Sequence, residues 1–130
     1  LQKKSKMIKV SEPTADKIVV ALYKRVSTDK QREEGYSLEV QEERLLAYAK
    51  TLGDVSDIKI YTDDGYSGGS LDRPAIQTLI DDVKAGAVTH VVVVKLDRLS
   101  RSQKDTLHLI EDVFIPHNVA FISIQESFNT

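Results

Sequence analysis

The chain has no cysteine. That excludes a disulfide framework and any thiolate-based metal site. No apolar run is long enough to span a membrane, and no apolar signal-peptide core follows the lysine-rich start, Leu1 to Met7. Neither membrane insertion nor secretion is therefore expected, and a cytoplasmic location fits. His90, His108 and His117 lack metal-ligand spacing, so no metal or other cofactor is expected; His90 reads as a strand residue and the other two as helix or turn surface. There is no internal repeat. Excess positive charge is also missing: the net charge is −2, against the basic balance of a dedicated nucleic-acid-binding domain. Positive charge is local. Residues 1–30 carry 8 Lys/Arg and 3 Asp/Glu, residues 31–90 carry 6 and 12, and residues 91–130 carry 4 and 5.

What is present suits one globular domain: 130 residues, 41% hydrophobic and 29% charged, enough apolar material for a single core. Residues 1–16 show little periodicity and read as a flexible N-terminal arm, with the domain over 17–130. Lys17 to Val26 is apolar and β-branched, which predicts a strand buried on both faces. A polar loop over 27–37 leads to Ser37, which caps a helix from Leu38 to Leu52 that Gly53 ends. Its apolar stripe is Leu38, Leu45, Ala49 and Leu52. A second strand runs from Ile58 to Thr62, and a glycine-rich loop covers 63–70. Asp72 is expected to cap a helix with Pro74 in its first turn, burying Ile76, Leu79, Ile80 and Val83 and ending at Gly86. Val88 to Lys95 forms a third strand. Ser102 and Asp105 resemble a capping box. The helix behind them is expected to bury Leu107, Ile110, Val113 and Phe114 and to stop before Pro116. Val119 to Ile124 is a fourth strand. This order predicts a three-layer α/β/α domain with a largely parallel central sheet of about four to five strands. The chain stops soon after its fourth strand, which reads as a cut.

Sites in open α/β sheets gather outside the carboxyl ends of the strands. If strands one and three are neighbours, Arg25, Ser27, Asp97, Arg98 and Arg101 meet in one crevice. A hydroxyl attacks phosphorus, guanidiniums bind its oxygens and the charge growing on them, and a carboxylate orients an arginine or exchanges a proton. Gln41 falls on the apolar stripe of the first helix. It faces the same crevice or, equally, is a partly exposed residue bonded to the preceding loop. Taken singly, each residue has a plainer reading: Ser27 a loop serine, Arg25 a strand-end charge, Asp97 and Arg98 a salt-bridged turn. Arg98 and Arg101 at a helix start oppose the macrodipole, which favours a functional reason. Gly65, Gly68 and Gly69 read more simply as a flexible turn than as a phosphate cradle.

Five blocks occur in a familiar order. They are Tyr23-x-Arg25-Val-Ser27-Thr28, Glu34-Gly-Tyr-Ser-Leu38-x-x-Gln41, Asp63-x-Gly-x-Ser67-Gly68, Asp72-Arg73-Pro74 and Lys95-Leu-Asp-Arg-Leu-Ser-Arg101. Over about residues 18–126 the chain resembles the serine recombinase (resolvase/invertase) family, and its Glu-Gly-Tyr-Ser loop resembles the large serine recombinases of phage-integrase and transposon type. The resemblance implies a resolvase-like fold and DNA cleavage and rejoining through a 5′-phosphoserine, without metal or ATP. It implies that Ser27 attacks, that Arg25, Arg98 and Arg101 hold the scissile phosphate, and that Asp97 organises them. Arg73 would be a further phosphate-side residue, Gln41 and Asp63 would support the site, and Tyr23 would be its neighbouring aromatic. It also implies DNA attachment sites as partners, and dimers and tetramers of the full-length protein. A long joining helix and a DNA-binding region would lie outside this chain, which is expected to be inactive alone.

Two other readings compete. One is a catalytically silent recombinase-like assembly module, against which the complete set of Ser27 and its arginines weighs. The other is a flavodoxin-like signalling or nucleotide-binding domain. The acidic pair Asp63 and Asp64 suggests it, and it leaves the arginine cluster unexplained.

Overall fold

A computed structural model describes residues 17–28 and 36–130; the arm expected over 1–16 and most of the loop before the first helix lie outside them. The sheet has five strands: β1 (Ile18–Val26), β2 (Val55–Asp64), β3 (His90–Val93), β4 (Ala120–Ser123) and β5 (Phe128–Asn129). Their order is β2-β1-β3-β4-β5. The first four are parallel, and β5 pairs antiparallel with β4. Strands one and three are therefore neighbours, as the crevice requires.

Helices cover both faces. On β1, Val20 and Leu22 point to a core shared with Leu45 and Ala49 of α1 (Leu38–Ala49). Ala21 and Tyr23 point to the opposite core, shared with Ile76, Leu79, Ile80 and Val83 of α2 (Pro74–Lys84). That alternation gives the central strand its unbroken burial. Ser37 caps α1 as expected, accepting from the Val40 N–H, and one 3₁₀ turn (Lys50–Leu52) carries the helix on to Gly53. No helix among the described residues is long and apolar enough to cross a membrane.

Two expectations are corrected. Asp72 does not cap α2: the N-cap is Arg73, whose side chain makes no capping bond. The open N–H groups of the first turn, at Ala75 and Ile76, donate instead to the buried carboxylate of Asp63. A cap supplied from a strand end leaves no local sequence trace. Secondly, Leu107 is 47% exposed and Leu109 is buried in its place. After the short α3 (Leu96–Leu99), α4 (Gln103–His108) widens into a π turn over Leu109–Phe114 and then a 3₁₀ turn over Ile115–His117 that contains Pro116. Proline offers no N–H and crowds the carbonyl four residues back. The wider turn meets that conflict and shifts the apolar phase, so the helical run passes Pro116 instead of stopping before it.

Candidate active site

The site begins where β1 and β3 part. They pair only from Val20 opposite His90 to Leu22 opposite Val92; β1 then continues alongside β2 to Val26. Past that point the neighbour of β1 is a side chain. Gln41, fully buried on α1, accepts from the Arg25 N–H at 3.3 Å and donates to the Arg25 carbonyl at 3.0 Å. Its amide nitrogen also donates to the Tyr36 carbonyl at 2.7 Å. A carboxamide thus takes the place of a strand's peptide. Of the two readings of Gln41, the bond to the preceding loop is present, and the side chain faces the crevice as well.

The Arg25 guanidinium is fully buried in this gap. It donates to the carbonyls of Arg98 (3.1 Å), Tyr66 (3.0 Å) and Asp97 (2.5 Å). Burial first, then the charges of Arg98, Arg73 and Arg101, pull its pKa down to about 10. Arg98, 2% exposed, donates from NH1 to the Arg25 carbonyl at 3.2 Å and from Nε to Asp97 Oδ1 at 3.0 Å. Asp97 also lies 3.4 Å from Lys95 Nζ. Burial alone would raise the Asp97 carboxyl. The hydrogen bond and charge of Arg98, with Lys95, outweigh it and hold the group below its ordinary value of 3.8. The stability this confers is present above pH 3.8 and is lost as pH falls through the lower folded-state value. Asp97→Asn should therefore lose less stability than the parent between about pH 6 and about pH 3. Urea midpoints at the two pH values check this; equal losses would count against the pairing.

A second cluster lies behind the first. Tyr23 donates to Asp63 Oδ2 at 2.6 Å and accepts from Arg73 NH1 at 2.6 Å. Burial pushes the Tyr23 phenol up, with Asp63 adding to the effect and Arg73 opposing it, so it stays protonated as the link between them. Arg73, 2% exposed, also donates to the Ser70 carbonyl and to the Leu99 carbonyl, each at 2.8 Å. It thereby ties α2 and the glycine loop to the segment that carries Arg98.

Ser27 is half-buried, one residue past the end of β1. The strand end is held by Gly65 and Tyr66, whose N–H groups both donate to the Val26 carbonyl. Arg101 is exposed, and its N–H donates to the Gly68 carbonyl at 2.8 Å. Gly68 is required by close approach. A Cβ there would sit 2.8 Å from Arg25 NH2 and 3.0 Å from Arg101 Cγ. Three carbonyls pin the Arg25 guanidinium, so the loop must yield. Gly68→Ala should cost about 1–3 kcal/mol in urea unfolding, and an unchanged midpoint would show that the loop shifts freely.

The structure thus joins Arg25, Gln41, Asp97 and Arg98 in one bonded group, sets Arg101 beside it across Gly68, and gathers Tyr23, Asp63 and Arg73 into a second. Two participants, Lys95 and Tyr36, escaped the sequence reading, and a third, Gly68, reads there as part of a flexible turn but is required by its close approach to Arg25. Lys95 Nζ lies 4.0 Å from the centroid of the Tyr36 ring. All three lie inside the shared blocks, but only contact geometry gives them a part.

Comparison with known proteins bears on the family and the fold. A model of the resolvase N-terminal domain matches residues 20–130. The N-terminal catalytic domain of TP901-1 integrase superposes with a TM-score of 0.77 at 52% identity, covering 86% of this chain and 82% of that one. The Tn917 resolvase of Enterococcus faecalis is 36% identical over 110 residues, 83% of this chain and 50% of its own length. A Bacillus subtilis (strain 168) protein provisionally named a DNA recombinase is 34% identical over 110 residues, 85% of this chain and 21% of its own length. This chain therefore spans half or less of those two relatives. On the matched family model and the shared fold, it belongs to the resolvase N-terminal domain family of serine recombinases.

Proposed function

We propose that this domain cuts and rejoins DNA in site-specific recombination, with Ser27 as nucleophile. The Ser27 oxygen attacks a DNA phosphorus and loses its proton, the 5′ phosphate becomes esterified to serine, and the 3′ oxygen leaves and takes up a proton. The bond energy is kept in the phosphoserine, and attack by a partner strand's 3′-hydroxyl restores the diester without a nucleotide. Arg98 and Arg101, with Arg25, would bind the phosphate and the charge developing on it. Asp97 would orient Arg98, while Gln41, Asp63, Tyr23 and Arg73 would hold the cluster in place. The observation that carries this reading is the gathering of guanidiniums, two of them buried, at the end of the strand that leads into Ser27.

The donors of Arg25 face three backbone carbonyls here. They reach a phosphate only after the 66–68 and 97–98 segments move, so the domain alone would be inactive. In the full-length protein, attachment-site DNA and assembly into dimer and tetramer would drive that movement, and a separate region would supply most of the DNA affinity.

Covalent trapping tests the proposal. The full-length protein is mixed with attachment-site DNA nicked so that the cut end escapes, and the adduct is mapped by mass spectrometry. An adduct on Ser27 is expected. Specific DNA binding with no adduct would favour the silent assembly module.

A further inference from the structure

Tyr36 stands at the mouth of the crevice with three cations around its ring: Lys95 at 4.0 Å, Arg98 at 5.7 Å and Arg44 at 6.0 Å from the centroid. The ring is fixed from two sides. Its carbonyl accepts from Gln41 at 2.7 Å, and its hydroxyl donates to Gln125 beyond β4. Like charges so close repel. Asp97 offsets two of them, meeting Arg98 through Nε and Lys95 at 3.4 Å.

Two kinds of group hold cations together. A carboxylate occupies their N–H edges and cancels their charge. An aromatic face attracts them through its quadrupole and leaves the edges to other acceptors. A site that must present cations to an anion is better served by the second. We infer that Tyr36 is a positioning residue for strand cleavage: Asp97 pairs one edge of each cation, and the Tyr36 ring holds Lys95 and Arg98 together beside the nucleophile strand without a second negative charge. This rests on the recombinase reading. The plainer role is packing, since Tyr36 also abuts the core between α1 and the sheet, and the two make different predictions.

The test is the single-turnover rate of Ser27–DNA adduct formation by the full-length protein on the nicked attachment site. Tyr36→Phe keeps the ring and should stay within about threefold of the parent. Tyr36→Leu keeps apolar bulk without the quadrupole and should fall about tenfold or more, with DNA affinity unchanged. Fluorinated phenylalanines at position 36 keep the shape while weakening the quadrupole stepwise, so they remain informative if the leucine variant misfolds. The logarithm of the rate should fall with each added fluorine. A flat series, or a phenylalanine variant as slow as the leucine one, would overturn the role of the ring. Absence of a Ser27 adduct in the unaltered protein would instead sink the recombinase reading itself.

Discussion

Ser27→Ala should abolish DNA cleavage while leaving attachment-site affinity within about twofold. On the proposed function the two readouts separate, because the nucleophile and the affinity would have different sources. Under the proposed chemistry nothing replaces the attacking oxygen, so the loss should reach at least about 10⁴-fold, as for other lost nucleophiles. On the same proposal, affinity would rest on many phosphate contacts, to which one neutral hydroxyl adds little. Folding should be untouched: Ser27 is half-buried and lies outside both apolar cores. Gel-shift affinity and single-turnover cleavage on the same preparation check the prediction. A variant that still cuts would remove Ser27 from the mechanism and leave the fold assignment standing.

The second large effect concerns stability. Asp63 is fully buried. It accepts from Ala75 N at 2.8 Å, from Ile76 N at 3.0 Å and from the Tyr23 hydroxyl at 2.6 Å. Asp63→Ala removes the cap of α2, strands the Tyr23 donor, and takes away the carboxylate that Tyr23 links to the buried Arg73. Each unsatisfied buried donor costs about 1–3 kcal/mol, and the cap about 1 kcal/mol. A total of about 3–5 kcal/mol is expected, as for a broken buried pair. For a domain of this size that is roughly 10–20 °C in Tm. Asp63→Asn keeps an acceptor for the helix N-terminus and should recover about half. Calorimetry on the three proteins decides it. A drop of less than about 1 kcal/mol for Asp63→Ala would mean that solvent or a neighbour replaces the carboxylate.

The pattern of the chain carries most of the fold. The sequence of elements and the faces of α1 and α2 follow from local pattern, and the burial of β1 from its apolar run; β2 departs from the pattern, since Ile58 and Ile60 are exposed while Tyr61 and Asp63 are buried. The local grammar fails where a partner comes from far along the chain. Asp72 reads as a cap because it stands in the right place, yet Asp63, well before it in sequence, does that work from a strand end. Leu107 reads as core because a straight helix puts it there, and a π turn ahead of Pro116 rotates it outward. The candidate site residues show the same divide. Their positions at strand ends are visible in sequence, as is their grouping once β1 and β3 are neighbours. That the guanidiniums of Arg25 and Arg73 are gripped by carbonyls is not visible, because main-chain acceptors have no letter code.

Gln41 has a mechanical consequence. A sheet is normally stiff because each strand is laced to the next; β1 is laced to β2 as far as Val26, but at Arg25 its other edge is bonded by side chains, Gln41 of α1 and Arg98. The helix and the strand end are thus bonded directly to each other, two residues from Ser27. Glu43, Arg44 and Ala47 lie exposed on the same helix. A push on that outer surface would reach the backbone beside Ser27 through a single carboxamide, with no loop between to take it up.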